Sequence, residues 1–249
     1  MILKLLNEQI SAKYAPWIPF VRKICYNEGY SERILPERDW NMHALILASA
    51  SPRRRELLTN MGIPFTIHPS DADETVSGAP EEMVRTLALR KAAQVAQAVG
   101  AGWIVGADTL VALDGRALGK PADADDAVHM LKALSGRAHD VFTGVCLMDA
   151  ATGKRDLRVV GTKVFFRPLT EEEIRAYVAT GEPMDKAGAY AIQGGARGFV
   201  ERYEGSYENI VGFPTQEFAK MYEGFGFKEY KRTQLPGKVH TTIFFKKTL

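Results

Sequence analysis

A run of three arginines follows a short segment of serine and alanine near residue 50. The apolar run 44–48 predicts a buried strand, Ser51 suits a helix N-cap and Pro52 suits the first helical position. Residues 53–55 are all arginine and therefore fall in the first helical turn, where the helix dipole disfavours positive charge. Backbone N–H groups, serine hydroxyls and guanidinium groups together form a good phosphate site. Arginines directed into solvent are the alternative interpretation.

One lysine lies within the apolar stripe of a predicted helix. In the segment after Pro80, Val84, Leu87, Lys91 and Val95 recur at three- and four-residue spacing. Lys91 therefore belongs to the buried side of this helix. Its ammonium group either reaches back to solvent, which is the more common arrangement, or enters a pocket and meets an anion.

Two acidic residues are candidates for metal binding or proton transfer. Asp108 follows the apolar run 103–107, and we expect it at the end of that strand, where a carboxylate can hold a metal or activate water. Glu74 is the candidate second carboxylate. A turn aspartate that caps backbone N–H groups and a solvated loop acid are the respective alternatives.

A second unusual segment, 183–195, is too rich in small residues for an ordinary core strand. It contains Gln193, whose amide can both donate and accept, as reading the edge of a base requires. Asp185 and Lys186 can form an ion pair in the same segment. Lys120 follows a glycine and offers a point charge to phosphate, with an ordinary surface turn as the alternative.

Composition excludes several classes of protein. The chain has 249 residues and a net charge of only +2, which does not indicate a general nucleic-acid or membrane-surface role. Cys25 and Cys146 do not form a disulfide framework and fit a reducing compartment. No apolar run reaches the roughly 18 residues of a membrane span, no signal-peptide pattern occurs, and the histidines lack zinc-ligand spacing. We therefore expect a cytoplasmic protein.

From residue 44 onward the chain alternates strand-like and helical segments, which predicts a mixed α/β sheet flanked by helices. Strands are expected at 44–48, 65–69, 103–107 and 109–113, and again at 140–148 and 157–167, which a turn at 151–154 joins into a hairpin. Another hairpin turn is expected at 114–115. Helices are expected after Pro52, Pro80, Ala122 and Pro214, and from the capping box 170–173 to about residue 180.

Taken together and in order, these segments resemble the Maf family of nucleoside triphosphate pyrophosphatases. The matching segments are 45–54 (LILASASPRR), 106–109 (GADT), 119–121 (GKP), 134–137 (LSGR), 183–194 (PMDKAGAYAIQG) and 209–214 (NIVGFP). The resemblance implies an elongated, two-lobed α/β architecture with a central cleft, like that of inosine-triphosphate pyrophosphatases.

Domain boundaries follow from the extent of the resemblance, which covers about residues 43–225. We expect an N-terminal extension of unknown role at 1–41, the nucleotide pyrophosphatase domain at 42–225 and an atypical tail at 226–249. The tail has a strand-like segment at 241–245 and faintly resembles the end of a GNAT-type acetyltransferase. Because neither end carries a recognisable acetyl-CoA loop, no acetyltransferase activity is expected.

The resemblance also implies a reaction. Members of the family cleave a nucleoside triphosphate between the α- and β-phosphates with a divalent metal, here expected to be Mg²⁺, or Mn²⁺ or Co²⁺. The amino-acid sequence around Gln193 resembles that of the branch that acts on dTTP and UTP. CTP or modified pyrimidine nucleotides are further candidate substrates. The expected partner is the nucleotide, with a homodimer as the family's common state and no stable nucleic acid or membrane partner.

The resemblance also implies which residues form the site. Asp108, Glu74 and Lys120 resemble the catalytic set, with Asp108 and Glu74 also as metal ligands. The other implied roles are phosphate binding by Ser49, Arg53, Arg54 and Lys91, and base specificity by Thr109 and Gln193. A non-catalytic nucleotide-binding regulator of septum formation or cell division is the alternative function.

Overall fold

The computed structural model describes residues 45–234 and 241–247, with side chains described up to residue 227. Expectations for residues 1–41 lie outside this part of the chain. Six α-helices are described: α1 Pro52–Asn60, α2 Pro80–Val99, α3 Ala124–Leu134, α4 Glu171–Ala179, α5 Tyr207–Val211 and α6 Thr215–Gly224. Nine strands are described: β1 Leu45–Leu47, β2 Phe65–Ile67, β3 Trp103–Leu113, β4 Arg116–Leu118, β5 Ala138–Asp149, β6 Arg155–Phe166, β7 Val200–Glu204, β8 Phe227–Gln234 and β9 Thr241–Lys247.

Seven strands form one open sheet in the order β2-β1-β3-β5-β6-β7, with β4 paired to β3. Strand β1 runs parallel to β2 and β3, and the remaining pairs are antiparallel. The mixed α/β sheet, the hairpin turn at 114–115 and the long β5–β6 hairpin confirm the sequence predictions. The capping box at Thr170 also forms, with Glu173 as its partner.

One edge of β3 is only partly covered by neighbouring strands. Strand β5 occupies the opposite edge along 103–112, so both β1 and β4 must share the remaining edge. Strand β1 pairs there with 103–105, and β4 pairs with 111–113. Within the described residues, 106–110 therefore have no strand partner on this edge, and the chain leaving β1 and the chain leaving β4 both enter the opening.

The sequence prediction that the strand ends before Asp108 is wrong. Strand β3 continues without interruption, and Asp108 pairs with Gly144 of β5 while Thr109 pairs with Thr143. The two polar residues break the apolar pattern in the part of β3 that, among the described residues, has no strand partner on its other edge. The hydrogen bonding of the strand to β5 is unaffected.

Helix α2 packs on the sheet at unusually short range because two strand residues lack side chains. A Cβ atom at Gly106 would lie 2.7 Å from the backbone nitrogen of Ala92, and one at Gly144 would overlap the carbonyl oxygen of Val84. Real Cβ contacts are not this close, so only glycine fits at these two positions. The close packing brings Lys91 of α2 within reach of Asp108.

A buried histidine lies at the start of β5. His139 is 1% exposed, its Nε2 lies 2.8 Å from the hydroxyl of Tyr190, and its ring contacts Phe166 edge to face. Burial lowers the pKa of His139 to about 4. The charge of Asp140 raises this pKa and that of Lys163 lowers it, each by less than the effect of burial. The imidazole is therefore neutral at physiological pH.

The C-terminal segment is joined to the main core. Strands β8 and β9 form an antiparallel hairpin, which confirms the strand expected at 241–245. Phe227 at the start of β8 is 3% exposed and lies edge to face with Trp103, at 5.4 Å between ring centroids. The tail thus begins inside the core, and the proposed domain boundary at 225 stays a prediction.

Two further observations concern the class of protein. No helix in the described part of the chain is both long and apolar enough to cross a membrane. Cys146 is fully buried in β5, and burial raises the pKa of its thiol to about 12. Such a thiol is unreactive.

We expect Gly144→Ala to lower the free energy of unfolding by about 3 kcal/mol, because its methyl group forces α2 away from the sheet. Urea unfolding measures the change. Gly198→Ala is the matched control, since a Cβ there meets no atom within 4 Å. Equal stability of the two variants would contradict the close packing of α2.

We expect the stability of the protein to fall as pH drops from about 6.5 to 4, partly because His139 must stay neutral while folded. Its folded pKa of about 4 lies below the ordinary 6.5, so the unfolded chain binds more protons in this window. This difference in proton binding lowers the free energy of unfolding by about 2–3 kcal/mol between pH 7.5 and 4.5. His139→Gln removes the titration, and urea unfolding at both pH values should show a correspondingly smaller loss. An unchanged loss would contradict the prediction.

Candidate active site

The opening at the edge of β3 leads into a cavity of about 850 Å³. The structure brings every residue predicted for the site to its wall: Ser49, Arg53, Arg54, Glu74, Lys91, Asp108, Thr109, Lys120 and Gln193. These residues come from segments that are far apart in the sequence. Their individual roles stay predictions, whereas their common location is observed.

Arg54 donates hydrogen bonds to three separate parts of the cavity wall. Its Nε donates to the carbonyl oxygen of Gly212 at 3.0 Å, and its Nη1 and Nη2 donate to the hydroxyls of Ser49 and Thr109, each at 3.2 Å. Burial lowers the pKa of Arg54 from its ordinary value, and the negative charge of Asp108 opposes this effect. The guanidinium group is thus held in a defined orientation.

The N-terminus of α1 has the form that the sequence predicts. Ser51 is the N-cap and its hydroxyl accepts from the backbone N–H of Arg54 at 3.4 Å, with Pro52 at the first helical position. Arg53 also lines the cavity, whereas Arg55 is exposed and lies outside the lining. The arginine run therefore divides, with two side chains at the site and one in solvent.

Thr109 lies at the end of a buried chain of hydrogen bonds. Its Oγ1 is 2.9 Å from Oγ1 of Thr143, which donates to the carbonyl oxygen of Asn209 at 3.2 Å. Asn209 in turn donates from Nδ2 to the carbonyl oxygen of Val141 and to Oγ1 of Thr162, both at 3.0 Å. The Thr109 hydroxyl, predicted to contribute to base specificity, is therefore already engaged with protein groups.

Thr143 and Asn209 are the site residues that sequence reasoning missed. Asn209 opens one of the matched motifs, which was a usable signal, but no chemistry could be assigned to it. Thr143 carries no local signal, because only the register between β3 and β5 places it opposite Thr109.

Lys91 lies between two carboxylates. Its Nζ is 2.6 Å from Oδ1 of Asp108 and 2.7 Å from Oε1 of Glu74. The side chains of Lys91 and Asp108 are only 11% and 15% exposed, whereas that of Glu74 is 64% exposed. The hydrogen bond from Lys91 lowers the pKa of Glu74. Of the two arrangements open for Lys91, the structure shows the one in which the ammonium group enters a pocket.

Lys120 and Gln193 occupy more open parts of the wall. Both residues are exposed, and within the described residues neither side chain makes a hydrogen bond. The backbone N–H of Gly188 donates to the carbonyl oxygen of Gly119 at 2.9 Å, which joins the segment of Gln193 to the turn of Lys120. Asp185 and Lys186 form the expected ion pair beside them.

The two carboxylates fit a divalent cation that also binds substrate. Among the described residues no group of three or more histidine, cysteine, aspartate or glutamate side chains could hold a metal. Asp108 and Glu74 nevertheless bind the same ammonium group, so their oxygens are neighbours. Mg²⁺ is commonly held by one or two carboxylates together with substrate phosphates. This donor set has that composition.

Comparisons with known proteins identify the family of this chain. Residues 44–225 match the family model described as Maf-like protein. A dTTP/UTP pyrophosphatase of Pelotomaculum thermopropionicum is 52% identical over 188 residues, covering 75% of this chain and 98% of the relative. One of Geobacter metallireducens is 54% identical over 175 residues, covering 70% and 91% respectively. One of Thermococcus gammatolerans is 52% identical over 188 residues, covering 76% and 100%. This chain belongs to the family of Maf-like proteins.

Proposed function

We propose that this chain is a nucleoside triphosphate pyrophosphatase that hydrolyses dTTP and UTP to the nucleoside monophosphate and pyrophosphate. The observation that carries the proposal is a cavity of about 850 Å³ that combines arginine and lysine side chains with two adjacent carboxylates. This volume lies in the range of small-molecule sites. The curated relatives named dTTP/UTP pyrophosphatase support the choice of substrate.

Phosphate binding is assigned to the N-terminus of α1 and to the lysines. Ser49 and the guanidinium groups of Arg53 and Arg54 lie beside a helix N-terminus, which carries partial positive charge. Lys91 and Lys120 add two point charges on other parts of the wall. Cations placed around the leaving pyrophosphate stabilise the charge that develops on it, and this is the larger electrostatic contribution.

Asp108 is assigned the role of general base. In the proposed step it orients a water molecule and accepts its proton, while the water oxygen bonds to the α-phosphorus. The bond between the α-phosphorus and the bridging oxygen breaks, and that oxygen leaves with pyrophosphate. A general base contributes about 10²–10⁴-fold to the rate. Lys91 holds the carboxylate of Asp108 in place before the substrate binds.

Asp108 and Glu74 are the residues that would hold a divalent cation, with Mg²⁺ expected and Mn²⁺ or Co²⁺ as alternatives. The bound cation would supply charge neutralisation at the phosphate oxygens. Glu74 is the more exposed of the two, so it can adjust its position when a triphosphate enters.

Base recognition is assigned mainly to Gln193. Its amide offers a donor and an acceptor, which match the adjacent carbonyl and N–H groups of uracil and thymine. Thr109 is the second predicted specificity residue, but its hydroxyl is bound by Arg54 and Thr143. We therefore expect Thr109 to act on the base indirectly. A homodimeric state and a cytoplasmic location remain predictions that rest on the family resemblance and on cysteine usage.

The reaction is tested by measuring pyrophosphate release from a panel of nucleoside triphosphates with Mg²⁺. We expect selective turnover of dTTP and UTP by the wild type. Turnover should fall at least about 100-fold in Asp108→Asn, because the general base is lost. Asp125→Asn, an exposed residue of α3 outside the cavity, is the control. If the folded wild type turned over no nucleotide, the enzyme proposal would be wrong and a regulatory binding role would replace it.

The arginine pair offers a second test with a matched control. We expect Arg54→Lys to lower kcat/KM for dTTP by about 10–100-fold, because one ammonium group cannot replace three directed hydrogen bonds. Arg55→Lys changes the neighbouring, exposed arginine and should alter kcat/KM by less than about twofold. Similar losses in both variants would contradict the assigned role of Arg54.

A further inference from the structure

We infer that Tyr177 and Glu182 form a clamp that positions Gln193 for recognition of the base. This inference rests on the proposed function and extends it to two residues outside the cavity. Tyr177 lies on α4, and Glu182 lies in the short 3-10 turn that follows this helix. Neither residue lines the cavity, so both would act through the segment that carries Gln193.

The clamp binds the backbone on both sides of Gln193. The hydroxyl of Tyr177 donates to Oε1 of Glu182 at 2.9 Å and accepts from the backbone N–H of Ala191 at 3.2 Å. The carboxylate of Glu182 accepts from the backbone N–H of Gly195, at 3.2 and 3.1 Å from its two oxygens. Ala191 and Gly195 each lie two residues from Gln193, so one connected pair of side chains restrains both flanks of the turn.

Two glycines let the turn approach the clamp closely. A Cβ atom at Gly194 would overlap the carboxylate of Glu182, and one at Gly195 would lie 3.0 Å from the ring of Tyr177. The turn is therefore packed directly against the two side chains, and any displacement of the clamp must move it.

Tyr190, which precedes Ala191 in the sequence, is held in place independently of the clamp. Tyr190 is 5% exposed and its hydroxyl is bound to His139 in the core. Burial, together with the neighbouring Glu182, raises the pKa of Tyr177 above its ordinary value, so its hydroxyl stays a donor throughout the physiological range. The backbone of the turn is thus restrained at three points, while the side chain of Gln193 is exposed to the cavity.

The restraint matters for recognition because an amide can read a base only from a defined position. The amide of Gln193 must lie at the right distance and angle to bond a base, because hydrogen bonds weaken steeply when either departs from its optimum. The phosphate-binding residues lie elsewhere in the chain, on the loop before α1, on α1 and α2, and in the turn after β4. Loss of the clamp should therefore weaken recognition of the base and leave phosphate binding unchanged.

The test is the affinity of Tyr177→Phe for two probes in the presence of Mg²⁺, measured by isothermal titration calorimetry. The first probe, α,β-methylene-UTP, carries base and phosphates and resists cleavage at the proposed position. The second, inorganic tripolyphosphate, can contact only the phosphate-binding residues. Phenylalanine keeps the ring that packs on Phe199 and removes only the hydroxyl. Because both hydrogen bonds of the Tyr177 hydroxyl are lost and the turn is released, we expect about tenfold weaker binding of α,β-methylene-UTP and less than twofold change for tripolyphosphate.

A double-mutant cycle distinguishes positioning of Gln193 from a general loss of structure. If Tyr177 acts through Gln193, Tyr177→Phe should have no further effect on α,β-methylene-UTP binding in a Gln193→Ala background. Glu182→Gln keeps an acceptor for Gly195 and should retain most of the affinity, whereas Glu182→Ala should lose it. Tyr222→Phe, a buried tyrosine of α6 outside the cavity lining, is the control, and thermal unfolding verifies that each variant is folded.

The outcomes separate the clamp from the proposed function. A wild type that binds neither probe would overturn both. A wild type that binds both probes, with Tyr177→Phe weakening neither or weakening both equally, would overturn the clamp alone. Additive effects of Tyr177→Phe and Gln193→Ala would also overturn it.

Discussion

The uncovered stretch of β3 between β1 and β4 determines where this chain can do chemistry. A strand in the middle of a sheet normally has neighbours along both edges, but here residues 106–110 have β5 on one side only within the described part of the chain. Polar side chains can lie at the centre of the sheet because the opening admits solvent and ligand. Asp108 and Thr109 lie in this stretch, and both line the cavity.

The two faces of β3 carry different parts of the site. On one face, close packing of α2 against Gly106 and Gly144 brings Lys91 to Asp108. On the other face, Thr109 is held by Thr143 and receives a hydrogen bond from Arg54. Successive residues of a strand point to opposite faces, so adjacent positions in the sequence serve a charge cluster and a hydrogen-bond chain. Before a ligand enters, the ammonium group of Lys91 is the shared partner of both carboxylates in the cluster.

Local physics explains the parts of the site that the sequence predicts. Ser51 as a cap, Lys91 in an apolar stripe and the turn at 114–115 all depend on residues within a few positions of one another. The break assigned at Asp108 was wrong because polarity was taken as the end of a strand, whereas pairing with β5 continues through it. Thr143, Asn209 and the Tyr177–Glu182 pair could not be predicted, because their partners are distant in the sequence. Only the register of the sheet and the packing of α4 bring those partners together.

The hydrogen bond between Arg54 and the carbonyl oxygen of Gly212 has a consequence for how the protein is made. It joins positions 158 residues apart, and the Asn209 contacts to β5 and β6 span 68 and 47 residues. During synthesis the ribosome releases the first half of the cavity long before the segment that completes it. Non-local contacts of this kind form late, because the entropy of closing the intervening chain must be overcome first. A nascent chain can therefore assemble most of its sheet while Arg54 still lacks one of its partners, and the complete ligand-binding cavity arises only after the segment around Gly212 has emerged.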